Sequence, residues 1–184
     1  MARIPPVTRE SIKENLRTVF DEVAAGPGEL GTGPMSILKN SPEMARRAIP
    51  LFNYVRNESS LPRKARELAM LTTARAMDCP YIWNAHVALG RQEGLSDSLV
   101  DALRDREPLP PLAPDEAAVV NLGMEFFETH KVSQDTFQLA LDQFGTQGLV
   151  ELTTLMGYYA MLAFNANTVD LGLPHDLVEK PLPV

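Results

Sequence analysis

The apolar residues of this chain recur every three to four positions along nearly its whole length, and convincing two-residue alternation is absent. A repeat of three to four residues marks one face of an α-helix, whereas a half-buried strand alternates every two. The pattern therefore predicts an all-α fold, a bundle of about seven or eight helices. With 184 residues, the chain can bury one substantial core, so we expect a single domain over residues 1–184.

Prolines and glycines divide this pattern into elements. A start at Ser60–Pro62 and a break at Asp78–Pro80 predict a helical hairpin, with one helix ending near Met77 and the next running from about Pro80 to Glu93. The segment 107–114 contains four prolines and is predicted to be a linker, with a hinge as its possible role. Three helices are expected after it: Asp115 to about Thr129, Ser133 to Phe144, and Gly148 to about Val169.

Three further expectations concern local breaks near the N-terminus. Ser11 and Glu14 have the spacing of a capping box, with Thr8 as the alternative helix start. The loop through Gly31–Pro34 is expected to be too rich in glycine to be helical. Pro50 should kink or split the helix that contains it.

Charge and cysteine content exclude several classes of protein. The formal net charge is −7, which argues against a partner such as nucleic acid or an anionic membrane, because either requires a basic surface. A single cysteine excludes an intramolecular disulfide and a dithiol centre within the chain. No apolar run has the length of a signal peptide or a membrane span. We therefore expect a cytoplasmic protein.

Within the predicted hairpin, Glu67 and His86 are the strongest candidates for chemistry. At 1.5 Å per residue, they lie roughly 15 and 9 Å from the turn, so a long glutamate side chain can approach the imidazole. A carboxylate beside a histidine selects one tautomer and raises the basicity of the ring, as general acid–base catalysis requires. The alternative is a solvated glutamate and a structural core histidine.

Cys79 stands just before the second helix of the hairpin, where unpaired N–H groups favour a thiolate. His86 lies on the same face, about 10 Å further along the axis. The alternative is a small buried side chain without reactivity. Both interpretations stay open at this point.

Other side chains give weaker indications of a functional site. His86, His130 and His175 do not have the spacing of metal ligands, and we expect neither a metal nor an organic cofactor. Trp83 and Tyr158 are the aromatic residues that we select as walls of a substrate pocket.

The run Arg66-Glu67-Leu68, then Cys79, then Trp83-Asn84-Ala85-His86 and Gly94-Leu95-Ser96 resembles the carboxymuconolactone decarboxylase and alkylhydroperoxidase D-like superfamily. The likeness extends over roughly residues 33–174. It implies an all-α bundle that assembles into homo-oligomers, trimers or hexamers, with sites near the subunit interfaces.

The resemblance also carries an expectation about redox chemistry. The peroxidase branch of the superfamily has a Cys-x-x-Cys pair between its glutamate and its histidine, and Glu67, Cys79 and His86 fall in that register. The second cysteine is Ile82 here, so the dithiol cycle cannot run within this chain. The decarboxylase branch also lacks the pair and works without a cofactor.

Three functions follow from these residues. The first is a cofactor-independent lyase for a small lactone or a carboxylated ring-cleavage product, in which His86 protonates or deprotonates carbon, Glu67 orients it, and Arg66 or Arg75 binds the anionic substrate. The second is a one-cysteine thiol peroxidase that uses Cys79. The third is a non-catalytic oligomeric binding protein with the same fold.

Overall fold

The computed structural model describes residues 2–28, 30–173 and 177–184, and among these the only regular elements are helical. Short 3-10 turns at Arg9–Ser11 and Glu14–Leu16 precede the first α-helix. The eight α-helices of the described residues are α1 (Arg17–Ala24), α2 (Gly33–Leu38), α3 (Pro42–Asn53), α4 (Arg63–Ala76), α5 (Pro80–Gln92), α6 (Asp97–Asp105), α7 (Pro114–Thr129) and α8 (Gln134–Thr168). The all-α prediction is confirmed.

Helices α4 and α5 form the predicted hairpin at the centre of the bundle, and α7 and α8 pack on α4. Helix α4 is buried on nearly all sides from Leu68 to Arg75, which explains why its sequence is apolar and small rather than amphipathic. The turn between α4 and α5 contains Asp78 with φ of 46°, a left-handed conformation that aspartate tolerates better than most residues. This tight turn fixes the register of α5 against α4.

Two expectations near the N-terminus have different outcomes. The capping box pairs Thr8 with Ser11, which is the alternative start, rather than Ser11 with Glu14, and it caps only a single 3-10 turn. The glycine-rich segment is not a loop throughout, because α2 begins at Gly33 with Pro34 in its first turn. Proline fits there because the first helical N–H groups have no partner within the helix.

Pro50 does not divide its helix at its own position. Helix α3 continues to Asn53, and one turn of π-helix, Tyr54–Glu58, follows directly. A π-turn accommodates an extra residue within a helix, and such turns are frequent at functional sites. The disruption expected from proline therefore appears one turn later, where it changes the direction of the side chains.

The two helices expected after residue 133 are confirmed, because the backbone of α8 is not helical at Gly145 and a kink there divides the element in two. Gly145 has φ of 66° and ψ of 179°, which glycine adopts without strain. Residues 107–113 of the predicted linker have no regular secondary structure, and Pro114 begins α7. One buried apolar cluster nevertheless joins residues from both sides of it, including Leu68, Val119 and Leu155.

A buried carboxylate attaches the π-turn to α8. Glu151 accepts hydrogen bonds from the Tyr54 hydroxyl at 2.6 Å, the Ser60 backbone N–H at 2.8 Å, the Ser60 hydroxyl at 2.6 Å and the Gln147 amide at 2.9 Å. Burial opposes the ionisation of Glu151, yet these bonds hold its pKa at about 2. Residues 54–60 are thereby fixed between α3 and α4.

Candidate active site

Glu67 and His86 meet, as the hairpin spacing predicted. Glu67 on α4 places its Oε2 2.8 Å from the Nδ1 atom of His86 on α5. His86 is 3% exposed, so its ring lies inside the bundle. Because a carboxylate accepts and cannot donate when ionised, it holds the proton on Nδ1 and leaves Nε2 available for chemistry.

The environment of His86 acts on its basicity in opposite directions. Burial lowers the pKa of the imidazole, and the charge of Arg56 lowers it as well, whereas Glu67 raises it. The net direction is downward, so the ring is neutral in the free protein at neutral pH. Because Glu67 engages Nδ1, Nε2 is the ring nitrogen that a substrate in the adjoining cavity would have to reach.

A cavity of about 200 Å³ adjoins His86. Its walls come from four parts of the chain: the segment from Gly28 to Met35, the end of α3 with the π-turn, α5, and α8. The side chains that matter most for chemistry are His86, Arg56, Tyr159 and Phe52. This volume lies below the roughly 300–1,000 Å³ of typical ligand pockets, which indicates a small substrate.

Arg56 is the functional candidate that the sequence did not reveal. Its guanidinium carbon lies 5.6 Å from the centroid of the Phe52 ring, and the residue lines both the His86 cavity and a neighbouring polar cavity of about 290 Å³. Among the described residues, no carboxylate forms an ion pair with Arg56. An unpaired guanidinium held beside a cavity is suited to bind a carboxylate.

Comparison with known proteins places this geometry in a family. Residues 42–111 match the model of the carboxymuconolactone decarboxylase family, and this segment carries Arg56, Glu67, Cys79 and His86. Over this segment, the chain is similar to the carboxymuconolactone decarboxylase family. A search of curated proteins finds no significant match to the sequence.

Solved structures show the same fold over nearly the whole chain. An uncharacterised peroxidase-related protein from Ralstonia eutropha, with an alkylhydroperoxidase AhpD core, is 17% identical, covers 95% of this chain and 93% of its own, and has a TM-score of 0.68. The debrominase Bmp8, as a cysteine-to-alanine variant in complex with 2,3,4-tribromopyrrole, is 13% identical, covers 94% of this chain and 91% of its own, and has a TM-score of 0.67. These likenesses confirm the alkylhydroperoxidase D-like fold.

The two aromatic residues predicted as pocket walls lie away from the cavity beside His86. Trp83 is completely buried in the core and does not line the cavity beside His86. Tyr158 points toward α3, where its hydroxyl donates to the Ala48 carbonyl at 3.1 Å. Its neighbour Tyr159 faces the site instead, with its ring 5.2 Å from the His86 ring in an edge-to-face arrangement. Consecutive helical side chains diverge by about 100°, so an error of one residue changes the face.

The arginines predicted to bind substrate separate into two environments. Arg66 lines the polar cavity next to the His86 cavity, and its Nη1 donates to the backbone carbonyl of Arg56. Arg75 lies elsewhere: its guanidinium pairs with Asp78 and donates to the carbonyls of Arg104 and Pro183. Arg75 therefore stabilises the hairpin turn and the C-terminal segment, and it does not line the cavity beside His86.

Cys79 occupies the N-cap position of α5 and is completely buried. Burial raises the pKa of its thiol, although the backbone N–H groups of Ile82 and Tyr81 oppose this. Thiol peroxidase chemistry requires an accessible and acidic cysteine. This structure provides neither condition at Cys79.

We expect Cys79 to be inert toward alkylation in the folded protein. Only thiolate reacts, and burial both excludes the reagent and disfavours ionisation. Iodoacetamide at pH 7.5, followed by mass spectrometry, should modify native Cys79 at least about tenfold more slowly than the same cysteine in urea. A native rate equal to the unfolded rate would restore the thiol hypothesis.

The glycine-rich segment forms one wall of the cavity. Gly33 has φ of 71°, and a side chain there would meet the Tyr81 hydroxyl at 3.2 Å, so glycine is required for both reasons. The fully buried Lys39 donates to the carbonyls of Gly28 at 2.5 Å and Gly26 at 3.4 Å. Burial lowers the pKa of Lys39. Its role is to hold the wall in place.

Two observations concern other classes of site. Across residues 2–28, 30–173 and 177–184, no group of three or more His, Cys, Asp or Glu side chains is arranged to hold a metal ion. Within the same residues, no helix combines the length and apolarity needed to cross a membrane.

The other two histidines are not part of the described site. His130 is an exposed C-cap of α7 with φ of 61°, and His175 lies outside the described residues.

Proposed function

We propose that the protein is a cofactor-independent acid–base enzyme that removes CO₂ from a small lactone or carboxylated ring-cleavage product. The observation that carries this proposal is the Glu67–His86 pair, with its Oε2–Nδ1 distance of 2.8 Å and the position of His86 beside a cavity. The match of residues 42–111 to the carboxymuconolactone decarboxylase family supports the same reaction class.

Binding of the substrate prepares His86 for proton delivery. A carboxylate placed beside the ring raises the pKa of the imidazole, so Nε2 takes a proton from water as the substrate binds. Glu67 remains on Nδ1 and stabilises the imidazolium. Exclusion of water by Phe52 and Tyr159 strengthens both interactions.

The reaction then needs one bond to break and one to form. The bond between the substrate carbon and its carboxylate breaks, CO₂ leaves, and the electron pair passes into the adjacent carbonyl to give an enolate. His86 Nε2–H transfers its proton to the same carbon, and neutral His86 is regenerated. The net reaction consumes one proton from solvent and requires neither an oxidant nor an electron acceptor.

Arg56 is the residue that we assign to anion binding. Its guanidinium lies at the boundary of the two cavities, where it can hold a second carboxylate or the developing enolate oxygen. The Glu151 cluster fixes the π-turn on which Arg56 lies. Substrate binding and proton transfer are thus assigned to different elements of the bundle.

The test is CO₂ release from carboxymuconolactone and a panel of β-keto acids, measured with and without EDTA. We expect turnover of at least one carboxylated compound, no turnover of its methyl ester, and no loss of activity with the chelator. Binding of these acids without CO₂ release would favour the non-catalytic alternative. Loss of turnover with EDTA would contradict the cofactor-independent mechanism.

A further inference from the structure

A second cavity lies beside α4, apart from the cavity at His86. Its volume is about 450 Å³, against about 200 Å³ for the His86 cavity, and it falls within the roughly 300–1,000 Å³ of typical ligand pockets. Among the described residues, the two cavities share no lining residue. Thr72 lines the second cavity and follows Glu67 by five residues, a rotation of about 140° around the helix. We call this space the α4–α7 cavity.

The walls of the α4–α7 cavity come from α4, α6, the linker that follows α6, and α7. Most of the lining side chains are apolar: Ala76, Ala102, Leu103, Leu109, Met124 and Phe127. Leu109 belongs to the linker, where Pro108 and Pro110 flank it. Because proline fixes φ, the linker supplies a stiff wall, and a preorganised wall loses little entropy when a ligand binds.

Thr72 is a buried polar residue whose hydroxyl has no hydrogen-bond partner among residues 2–28, 30–173 and 177–184. The residue is 2% exposed. A helical threonine can donate to the carbonyl four residues earlier, and the neighbouring Thr73 does so to Ala69 at 2.8 Å. A buried hydroxyl without an acceptor costs free energy. The Thr72 hydroxyl is therefore a donor that a molecule in the α4–α7 cavity can use.

Arg75 provides a second donor one turn further along α4. It is 7% exposed and lines the same cavity. Its Nη1 donates to the carbonyls of Arg104 and Pro183, and its Nη2 pairs with Asp78. Its Nε–H has no partner within the described part of the chain. The two unpaired donors on one face of α4 suit a carbonyl oxygen, which can accept two hydrogen bonds.

The charges around the α4–α7 cavity favour an uncharged ligand. Asp78 pairs with both Arg75 and Arg106. Glu107 and Glu128 are exposed and also line the cavity. These two basic and three acidic side chains leave no excess of positive charge to attract an anion, and a cation would meet the buried Arg75 guanidinium.

We propose that the α4–α7 cavity binds an uncharged, apolar molecule through a single carbonyl oxygen, as in an aromatic ketone, an ester or a lactone. The oxygen accepts hydrogen bonds from the Thr72 hydroxyl and the Arg75 Nε–H. The apolar body of the ligand contacts Leu103, Met124 and Phe127. This ligand site is separate from the Glu67–His86 pair, so its occupancy does not depend on the reaction proposed there.

The first experiment measures the hydrogen bond with two fluorescent probes. Prodan is an uncharged naphthyl ketone, and 2-(dimethylamino)naphthalene has the same ring system without the ketone. Wild-type protein should bind Prodan saturably, at a single site per chain. Thr72→Val keeps the shape of the side chain and removes the hydroxyl. It should weaken Prodan binding by about fivefold, the contribution of one neutral hydrogen bond, and leave binding of 2-(dimethylamino)naphthalene unchanged.

Thr73→Val is the matched control, because the Thr73 hydroxyl already donates within α4, and it should leave binding of both probes unchanged. Absence of saturable Prodan binding to the wild type would overturn the proposal. So would equal weakening by the two valine substitutions, or equal weakening of the two probes by Thr72→Val.

The second experiment locates the probe. Ala76 is exposed at the end of α4 and lines the α4–α7 cavity, so Ala76→Phe fills the cavity without entering the core. It should weaken Prodan binding by at least about tenfold. Ala25→Phe, at the exposed C-cap of α1 and not among the residues that line either cavity, should leave it unchanged, and circular dichroism should show both variants folded. Prodan binding that survives Ala76→Phe, or that Ala25→Phe weakens equally, would contradict the proposed site.

Discussion

Replacement of His86 by alanine is expected to lower kcat/KM for CO₂ release from the carboxylated substrate by about 100-fold or more. This is the usual contribution of a positioned acid or base. The His86 ring lines the cavity and is paired with Glu67, and alanine cannot supply its proton. CO₂ release over a range of substrate concentrations gives kcat/KM directly.

Because His86 is buried, its loss must be separated from a loss of folding. His86→Gln keeps a donor for Glu67 and much of the side-chain volume, and it should be equally inactive with an unchanged circular dichroism spectrum. His130→Asn is the matched surface control, because asparagine accepts the left-handed conformation at that C-cap. Activity above about one-tenth of wild type in folded His86→Gln would contradict the assignment of His86.

The pH dependence follows from the direction of the His86 pKa. Burial lowers this pKa below 6.5, and the protonated ring is the active form, so kcat/KM should fall as pH rises through the lowered pKa. Glu67→Gln removes the interaction that raises the pKa, and the fall should therefore move to still lower pH. The variant should lose more activity at pH 7 than at pH 5. An unchanged profile would show that Glu67 does not act through His86.

The second large effect concerns stability. Glu151→Gln is expected to lower the free energy of unfolding by about 3 kcal/mol at pH 7, because hydrogen bonds to a buried charged group contribute about 1.5–3 kcal/mol each and a glutamine amide presents N–H groups to donors. Urea unfolding followed by circular dichroism measures the change. Glu128, exposed and in no ion pair with a described residue, provides the control: Glu128→Gln should change stability by at most about 0.5 kcal/mol.

The deficit of Glu151→Gln should depend on pH in a defined direction. The pKa of Glu151 is about 2 in the folded protein against an ordinary value of 4.5. The stabilisation from its ionised form is complete above pH 4.5 and is lost as pH falls toward 2. The gap between wild type and variant should therefore narrow over this range. A gap that is constant with pH would assign the effect to packing rather than charge.

The hairpin that carries the acid–base pair was predictable because its determinants are local. Pro62, Pro80 and the intervening turn define two helices, and the rise per residue then places Glu67 beside His86. The helical character of nearly every segment was predictable for the same reason. Both predictions rest on interactions between residues close in sequence.

Residues placed by tertiary packing were not predictable. Arg56 faces the cavity because a π-turn rotates it and because Glu151, 95 positions away in the chain, holds that turn. Tyr159 rather than Tyr158 faces His86 because the rotation of α8 depends on its packing against α4 and α7. Arg75 is basic and near the hairpin, yet the C-terminal segment and Asp78 occupy its hydrogen-bond donors. No pattern of residues close in sequence predicts these orientations and hydrogen-bond partners.

The separation of Glu67 and His86 by 19 residues has a consequence for how the family can diversify. Bringing Glu67 and His86 together closes only a short stretch of chain, so the loss of chain entropy is small. The pair can form independently of the more distant segments that line the cavity. The residues that shape the cavity come from the glycine-rich segment, the π-turn and α8. Mutations in those three segments can change which molecule fits while the proton-transfer pair stays intact. One reaction centre can in this way serve different substrates.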